Sequence, residues 1–160
     1  MTNDGPILVA DDDADEVVLL RLAFLKAGLS NPLHSVADGQ ECIEYLQGEG
    51  RFADRVQFPF PQLVLLDLKM PRLNGIQVLT WLRAQPQLKQ LPVIVLTGST
   101  FDSDITRAYA AGANSFLPKL LDPAGLAEQV KGIVDFWVGL CLLPSVPFDA
   151  PPPPPDPLVT

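Results

Sequence analysis

Residues 63–66, Leu-Val-Leu-Leu, form a short apolar run that stops at a carboxylate, Asp67. A run this short and this uniformly apolar reads as a strand buried on both faces, the kind found in parallel sheets. Similar runs recur at 6–10, 33–36, 93–96 and 115–118. Between them lie amphipathic helical patterns over roughly 13–27, 39–47, 75–84, 103–111 and 123–137. Regular strand–helix alternation implies βαβ units, hence an α/β fold with a parallel sheet covered on both sides.

Local signals support these boundaries. Asp13 caps the first helix, and Glu16 three residues on completes a capping-box pattern. Gly28 and Gly112 stand where helices stop. Asp122-Pro123 sets a cap before a proline at the first helical position. Residues 48–61 form a longer connection containing Gly48, Gly50, Pro59 and Pro61. One globular unit is expected over 1–143, followed at 144–160 by a proline-rich tail with an extended run at 151–155.

The formal net charge of −8 argues against direct nucleic-acid binding, which needs a basic footprint. No signal peptide is visible at the N-terminus. The longest uncharged apolar stretch, 136–148, is thirteen residues with two prolines, too short to span a bilayer. Cys42 and Cys141 show no ligand spacing, so a cytoplasmic protein with reduced thiols is expected. The single histidine, His34, excludes multi-histidine metal sites and reads as a surface strand residue. No GxSxG elbow accompanies it.

Polar residues close four of the runs: Asp11-Asp12-Asp13 after the first, Asp67 after the third, Thr97-Gly98-Ser99 after the fourth and Lys119 after the fifth. Parallel strands put all four ends on one edge, where open α/β sheets bind ligands. Close carboxylates repel one another unless a cation joins them, and Mg²⁺ prefers a few carboxylates, waters and phosphate oxygens. An Asp nucleophile, Mg²⁺ and a lysine form a set able to accept a phosphoryl group by in-line displacement.

The segments ILVADDD, LVLLDLKMPRLNG, VIVLTGS and AGANSFLPK resemble the receiver domain of two-component response regulators over about residues 5–138. The resemblance implies a flavodoxin-like (βα)5 doubly wound sheet with strand order 2-1-3-4-5. It implies Asp67 as phosphoacceptor from a sensor histidine kinase. Asp12 would bind Mg²⁺ directly and Asp11 through water, with Asp67 and the Lys69 backbone carbonyl completing the protein ligands. Thr97 and Phe116 match the switch pair, Lys119 the phosphate-binding lysine, and Gly98 the small residue beside the threonine. Ser99 and Lys69 either tune dephosphorylation by controlling water or are exposed bystanders. One departure is Leu120, where such families often carry proline after the lysine, leaving the geometry of that bond open. Such a protein is not an enzyme beyond its own phosphorylation and dephosphorylation.

The stretch 134–144, VDFWVGLCLLP, resembles the tail of single-domain regulators partnered with phytochrome kinases. Leu126, Val130, Ile133 and Trp137 share one helical face, whereas Phe136, Val138 and Leu140 lie off it. An apolar surface there marks a partner site, read as a homodimer with Phe136, Trp137 and Leu140 as contact residues. The alternative is a tail folded back on its own domain. With no room for an output domain, output is expected through protein contacts or onward phosphotransfer. Two rival readings are a Mg²⁺-dependent phosphohydrolase of the haloacid dehalogenase type, with its nucleophile among Asp11–Asp13, and a pseudo-receiver acting only as a binding module.

Overall fold

The structure is a computed structural model that describes residues 4–143; the expected proline-rich tail lies outside them. Five strands, β1 (Ile7–Ala10), β2 (Leu33–Val36), β3 (Leu63–Leu66), β4 (Val93–Thr97) and β5 (Ser115–Pro118), pair in parallel in the order β2-β1-β3-β4-β5. The flavodoxin-like order implied by the resemblance is the order found. Helices α1 (Ala14–Lys26), α2 (Gly39–Gln47), α3 (Gly75–Ala84), α4 (Asp102–Ala111) and α5 (Pro123–Val134) connect them.

The uniform apolar character of the central strands follows from their having no wet face. Leu8, Ala10, Val64, Leu66, Val93 and Val95 pack on the side of α2, α3 and α4. Their neighbours Ile7, Val9, Leu63, Leu65, Ile94 and Leu96 pack on the side of α1 and α5. Burying each valine, leucine or isoleucine among them contributes roughly 1.5–3 kcal/mol.

The long connection after α2 is fastened by aromatic and guanidinium groups. Phe58 packs edge-on and Phe52 at a tilt against Tyr45, whose hydroxyl donates to the Pro59 carbonyl at 2.9 Å. Arg55 donates to the Tyr45 and Leu46 carbonyls at 2.8 and 2.9 Å, adding to the Gly48 amide that already bonds Tyr45 at the end of α2. His34 lies at a tilt to Tyr45 and edge-on to Phe58 and is half-buried rather than a surface residue. Burial, and then the charge of Arg21, lowers its pKa.

The expected continuation of the last helix to residue 137 does not occur. After Val134 the chain widens into a π-helical turn, Asp135–Leu140. The wider turn re-phases the side chains. Val138, which an α-helical count places off the apolar face, is buried at 6 % exposure. Trp137 is partly buried against the core on the α1–α5 side, and Phe136 and Leu140 point to solvent. No helix among the described residues is long and apolar enough to cross a membrane.

Candidate functional site

Strand register brings the chemistry-bearing residues together. Ala10 is paired with Leu66, so Asp11 and Asp67 leave neighbouring strands at the same level. Thr97 is paired with Pro118, so Lys119 emerges beside it, its amide donating to the Thr97 carbonyl at 2.8 Å. The backbone of Asp67 is tied down on both sides. Its amide donates to the Ala10 carbonyl at 2.9 Å, and Gly75 at the start of α3 donates to the Leu68 carbonyl at 2.8 Å. A Cβ on Gly75 would stand 2.5 Å from the Asp67 carbonyl oxygen, so only glycine permits this approach.

The Thr97 hydroxyl donates to Asp67 Oδ1 at 2.8 Å. Lys119 Nζ lies 2.6 Å from Asp11 Oδ2, 2.5 Å from Glu16 Oε2 and 3.5 Å from Asp67 Oδ2. The lysine side chain is 8 % exposed. Burial opposes its charge, but hydrogen bonds to Asp11 and Glu16 outweigh that and raise its pKa, keeping an ammonium in place. At Asp11 burial wins over the Lys119 hydrogen bond and holds the carboxyl above its usual range. The cluster roofs an apolar cleft lined by Leu19, Leu20, Leu121 and Leu126, which strengthens every charge interaction above it.

Asp11, Asp12 and Asp67 can each offer an oxygen within 4.8 Å of the others. Three carboxylates this close, with no sulfur or imidazole donor in the set, fit a hard divalent cation. Asp12 is exposed and Asp11 buried, so the set opens to solvent at Asp12. Lys69 is exposed on the loop after Asp67.

Glu16 is the residue that the sequence reading assigns to another task. Asp13 does cap α1, accepting from the amides of Asp15 and Glu16. The reciprocal half of the capping box is not made, because the Asp13 amide donates to Asp11 Oδ1 at 2.9 Å. Glu16 turns to Lys119 instead. An acid one turn after Asp12, on a helix leaving the same sheet edge, was the available signal.

Around Thr97 the loop is ordered by side chains. The Ser99 amide donates to the Thr97 hydroxyl oxygen at 3.4 Å, and the Ser99 hydroxyl bonds Asp104 on α4. Ser99 is therefore buried, not an exposed bystander. Gly98 is exposed, with open space where a side chain would stand. Phe116 is half-buried against the α2–α4 side of the core, and its amide donates to the Tyr109 hydroxyl at 3.1 Å. No described peptide is cis, so the Lys119–Leu120 bond is trans.

Residues 7–131 match the family described as the response regulator receiver domain. The probable methanogenesis regulatory protein FilR2 of Methanothrix harundinacea (strain 6Ac) is 35% identical over 136 residues, 83% of each chain. Response regulator Rcp1 of Synechocystis sp. (strain ATCC 27184 / PCC 6803 / Kazusa) is 31% identical over 87% of this chain and 92% of its own. Its Mn²⁺-bound crystal structure superposes with a TM-score of 0.77 at 30% identity, over 88% of this chain and 99% of that one. The phosphorylated cyanobacterial phytochrome response regulator RcpA superposes with a TM-score of 0.80 at 33% identity, over 88% and 99% of the two chains. These matches favour neither a phosphohydrolase nor a bare binding module. With five parallel strands in the expected order and an acid–hydroxyl–lysine cluster at their carboxyl ends, the chain belongs to the response regulator receiver family and is related to the phytochrome response regulators.

Proposed function

We propose that Asp67 accepts a phosphoryl group from a sensor histidine kinase of the phytochrome type. The observation that supports this most is the convergence on one carboxylate of a hydroxyl from β4 and an ammonium from β5. An Asp67 oxygen attacks phosphorus in line. The bond to the donor imidazole nitrogen breaks, that nitrogen keeps the electron pair, and an acyl phosphate forms. Lys119 and the Thr97 hydroxyl are the groups that meet the new phosphoryl oxygens, and the open space at Gly98 admits them. Asp12, Asp67, the Lys69 carbonyl and, through water, Asp11 would hold Mg²⁺, which supplies charge neutralisation of the transferred group. Ser99, buried beside Thr97, limits access of water to the acyl phosphate.

Thr97 and Phe116 form the switch. Drawing the Thr97 hydroxyl toward the phosphoryl group withdraws it from the Ser99 amide, and α4 and β5 follow. The phosphoryl group acts by favouring one of two conformers through contacts it makes in that conformer alone. Val18, Leu22, Leu120 and Leu121 are exposed apolar residues on α1 and the loop after Lys119, beside the site. They form a docking face for the kinase. Phe136, Trp137 and Leu140 serve a homodimer, output passes by protein contacts or onward phosphotransfer, and the protein works in the cytoplasm.

Acetyl phosphate with Mg²⁺ tests the central assignment. Intact mass of the wild type should rise by one phosphoryl group, and Asp67→Asn should not change. Equal labelling of both proteins would refute Asp67 as acceptor. Sedimentation of Phe136→Ala against wild type tests the dimer, which should dissociate at lower dilution in the variant.

A further inference from the structure

An ammonium offers three hydrogens. Those of Lys119 are directed at Asp11 and Glu16 at 2.6 and 2.5 Å, and at Asp67 only at the 3.5 Å limit. The lysine is thus drawn to the α1 side of the site and away from the acceptor. The third hydrogen faces Asp67, but a charge-assisted bond to a phosphoryl oxygen there is strongest with the ammonium shifted off the α1 side, which lengthens one of the two short carboxylate contacts. Asp11 is buried, accepts a second hydrogen bond from the Asp13 amide and belongs to the metal-ligating set. Glu16 is 27 % exposed in its side chain, sits on the first turn of α1 and stands outside that set. Its carboxylate can be released into water at the least desolvation cost.

We infer that Glu16 is a positioning residue that holds Lys119 off the acceptor until Asp67 carries a phosphoryl group, an inference that rests on the proposed function. Glu16 acts through the lysine and touches neither donor nor phosphoryl group. Removing its charge spares the transition state the breaking of an ion pair. Removing charge anywhere nearby also eases approach of an anionic donor, so a control is needed. Asp15 is exposed on the same turn and makes no part of the cluster, and Asp15→Asn removes an equal charge.

The experiment compares wild type, Glu16→Gln, Glu16→Asp and Asp15→Asn. In metal-free protein, ¹⁵N NMR of the Lys119 ammonium reads the pairing directly. Its hydrogen exchange with water should quicken at least about threefold in Glu16→Gln and stay unchanged in Asp15→Asn. With acetyl phosphate and Mg²⁺, the maximal labelling rate should rise about fivefold in Glu16→Gln, with the half-saturating donor concentration unchanged. Glu16→Asp, which keeps the charge and loses the reach, should fall between. Equal maximal rates in Glu16→Gln and wild type overturn the inference, as does an Asp15→Asn rate that rises equally. Failure of the wild type itself to label at Asp67 removes the proposed function, and is told apart from those results by the wild-type arm alone.

Discussion

The Thr97 hydroxyl reaches across from β4 to donate a 2.8 Å hydrogen bond to Asp67 Oδ1 on the loop after β3. Thr97 is 1 % exposed, so this donor has no water to replace it. Thr97→Val keeps the branched shape and removes the donor. It should cost about 1 kcal/mol in urea unfolding. It should also abolish the shift of α4 and β5 resonances when Asp67 is phosphorylated. A variant spectrum that responds as the wild type does would contradict the switch.

Metal binding can be read without phosphate. At a free Mg²⁺ concentration a hundred times its Kd, a bound ion stabilises the fold by about 2.7 kcal/mol. The melting temperature of the wild type should therefore climb with Mg²⁺ and return on chelation. Asp12→Asn should lose most of the climb, while its metal-free melting temperature rises or stays level because one of three crowded acids is gone. An unaltered Mg²⁺ response in this variant would exclude Asp12 as a ligand.

Asp38 joins two loops of the active edge. It caps α2 by accepting from the Glu41 amide at 2.8 Å, and it pairs with Arg72 Nε and a terminal guanidinium nitrogen at 2.8 and 3.1 Å. Arg72 has a left-handed backbone, φ 65°, that this pair helps to hold. Partial burial pushes the Asp38 carboxyl up, but the Arg72 hydrogen bond and the capped amides push it further down, so it ends below its ordinary 3.8. A depressed carboxyl contributes its full stability above the unfolded value and loses it as pH falls through the folded value. Asp38→Asn keeps a capping oxygen and loses the charge. The gap in unfolding free energy between wild type and this variant should be constant from neutral pH down to about 4. It should close on further acidification. A gap that widens in acid would contradict the assignment.

Arg83 on α3 is a fastener away from the chemistry. Its guanidinium donates to the carbonyls of Gly112, Leu88, Lys89 and Leu91 and to the Asn114 side chain at 2.8–3.2 Å. Lysine cannot reproduce that fork, so Arg83→Lys should lower unfolding free energy by about 2 kcal/mol. Labelling of Asp67 should persist in the variant at temperatures well below its melting point.

How much of this is readable in the sequence depends on the kind of contact involved. Strands with two dry faces must be apolar throughout, and so residues 63–66 announce themselves. The site follows from placing Asp11, Asp67, Thr97 and Lys119 at successive strand ends. Glu16 was legible as an acid but not as a partner of Lys119, because the cap at Asp13 offers a sufficient local explanation for it. Arg55 and Arg83 bond backbone carbonyls, which carry no residue signature. Val138 escaped because counting 3.6 residues per turn presumes a helix that stays α-helical, and the turn from Asp135 to Leu140 does not.

The close approach of Gly75 to Asp67 leaves the loop cinched at its neck, with Pro71 and Arg72 on its exposed crown. What happens on the crown of that loop is mechanically separate from where Asp67 stands. Substitutions on the crown, the Asp38–Arg72 pair apart, can therefore change its surface without moving the Asp67 backbone. A single methyl group at the neck, by contrast, would dislodge Asp67.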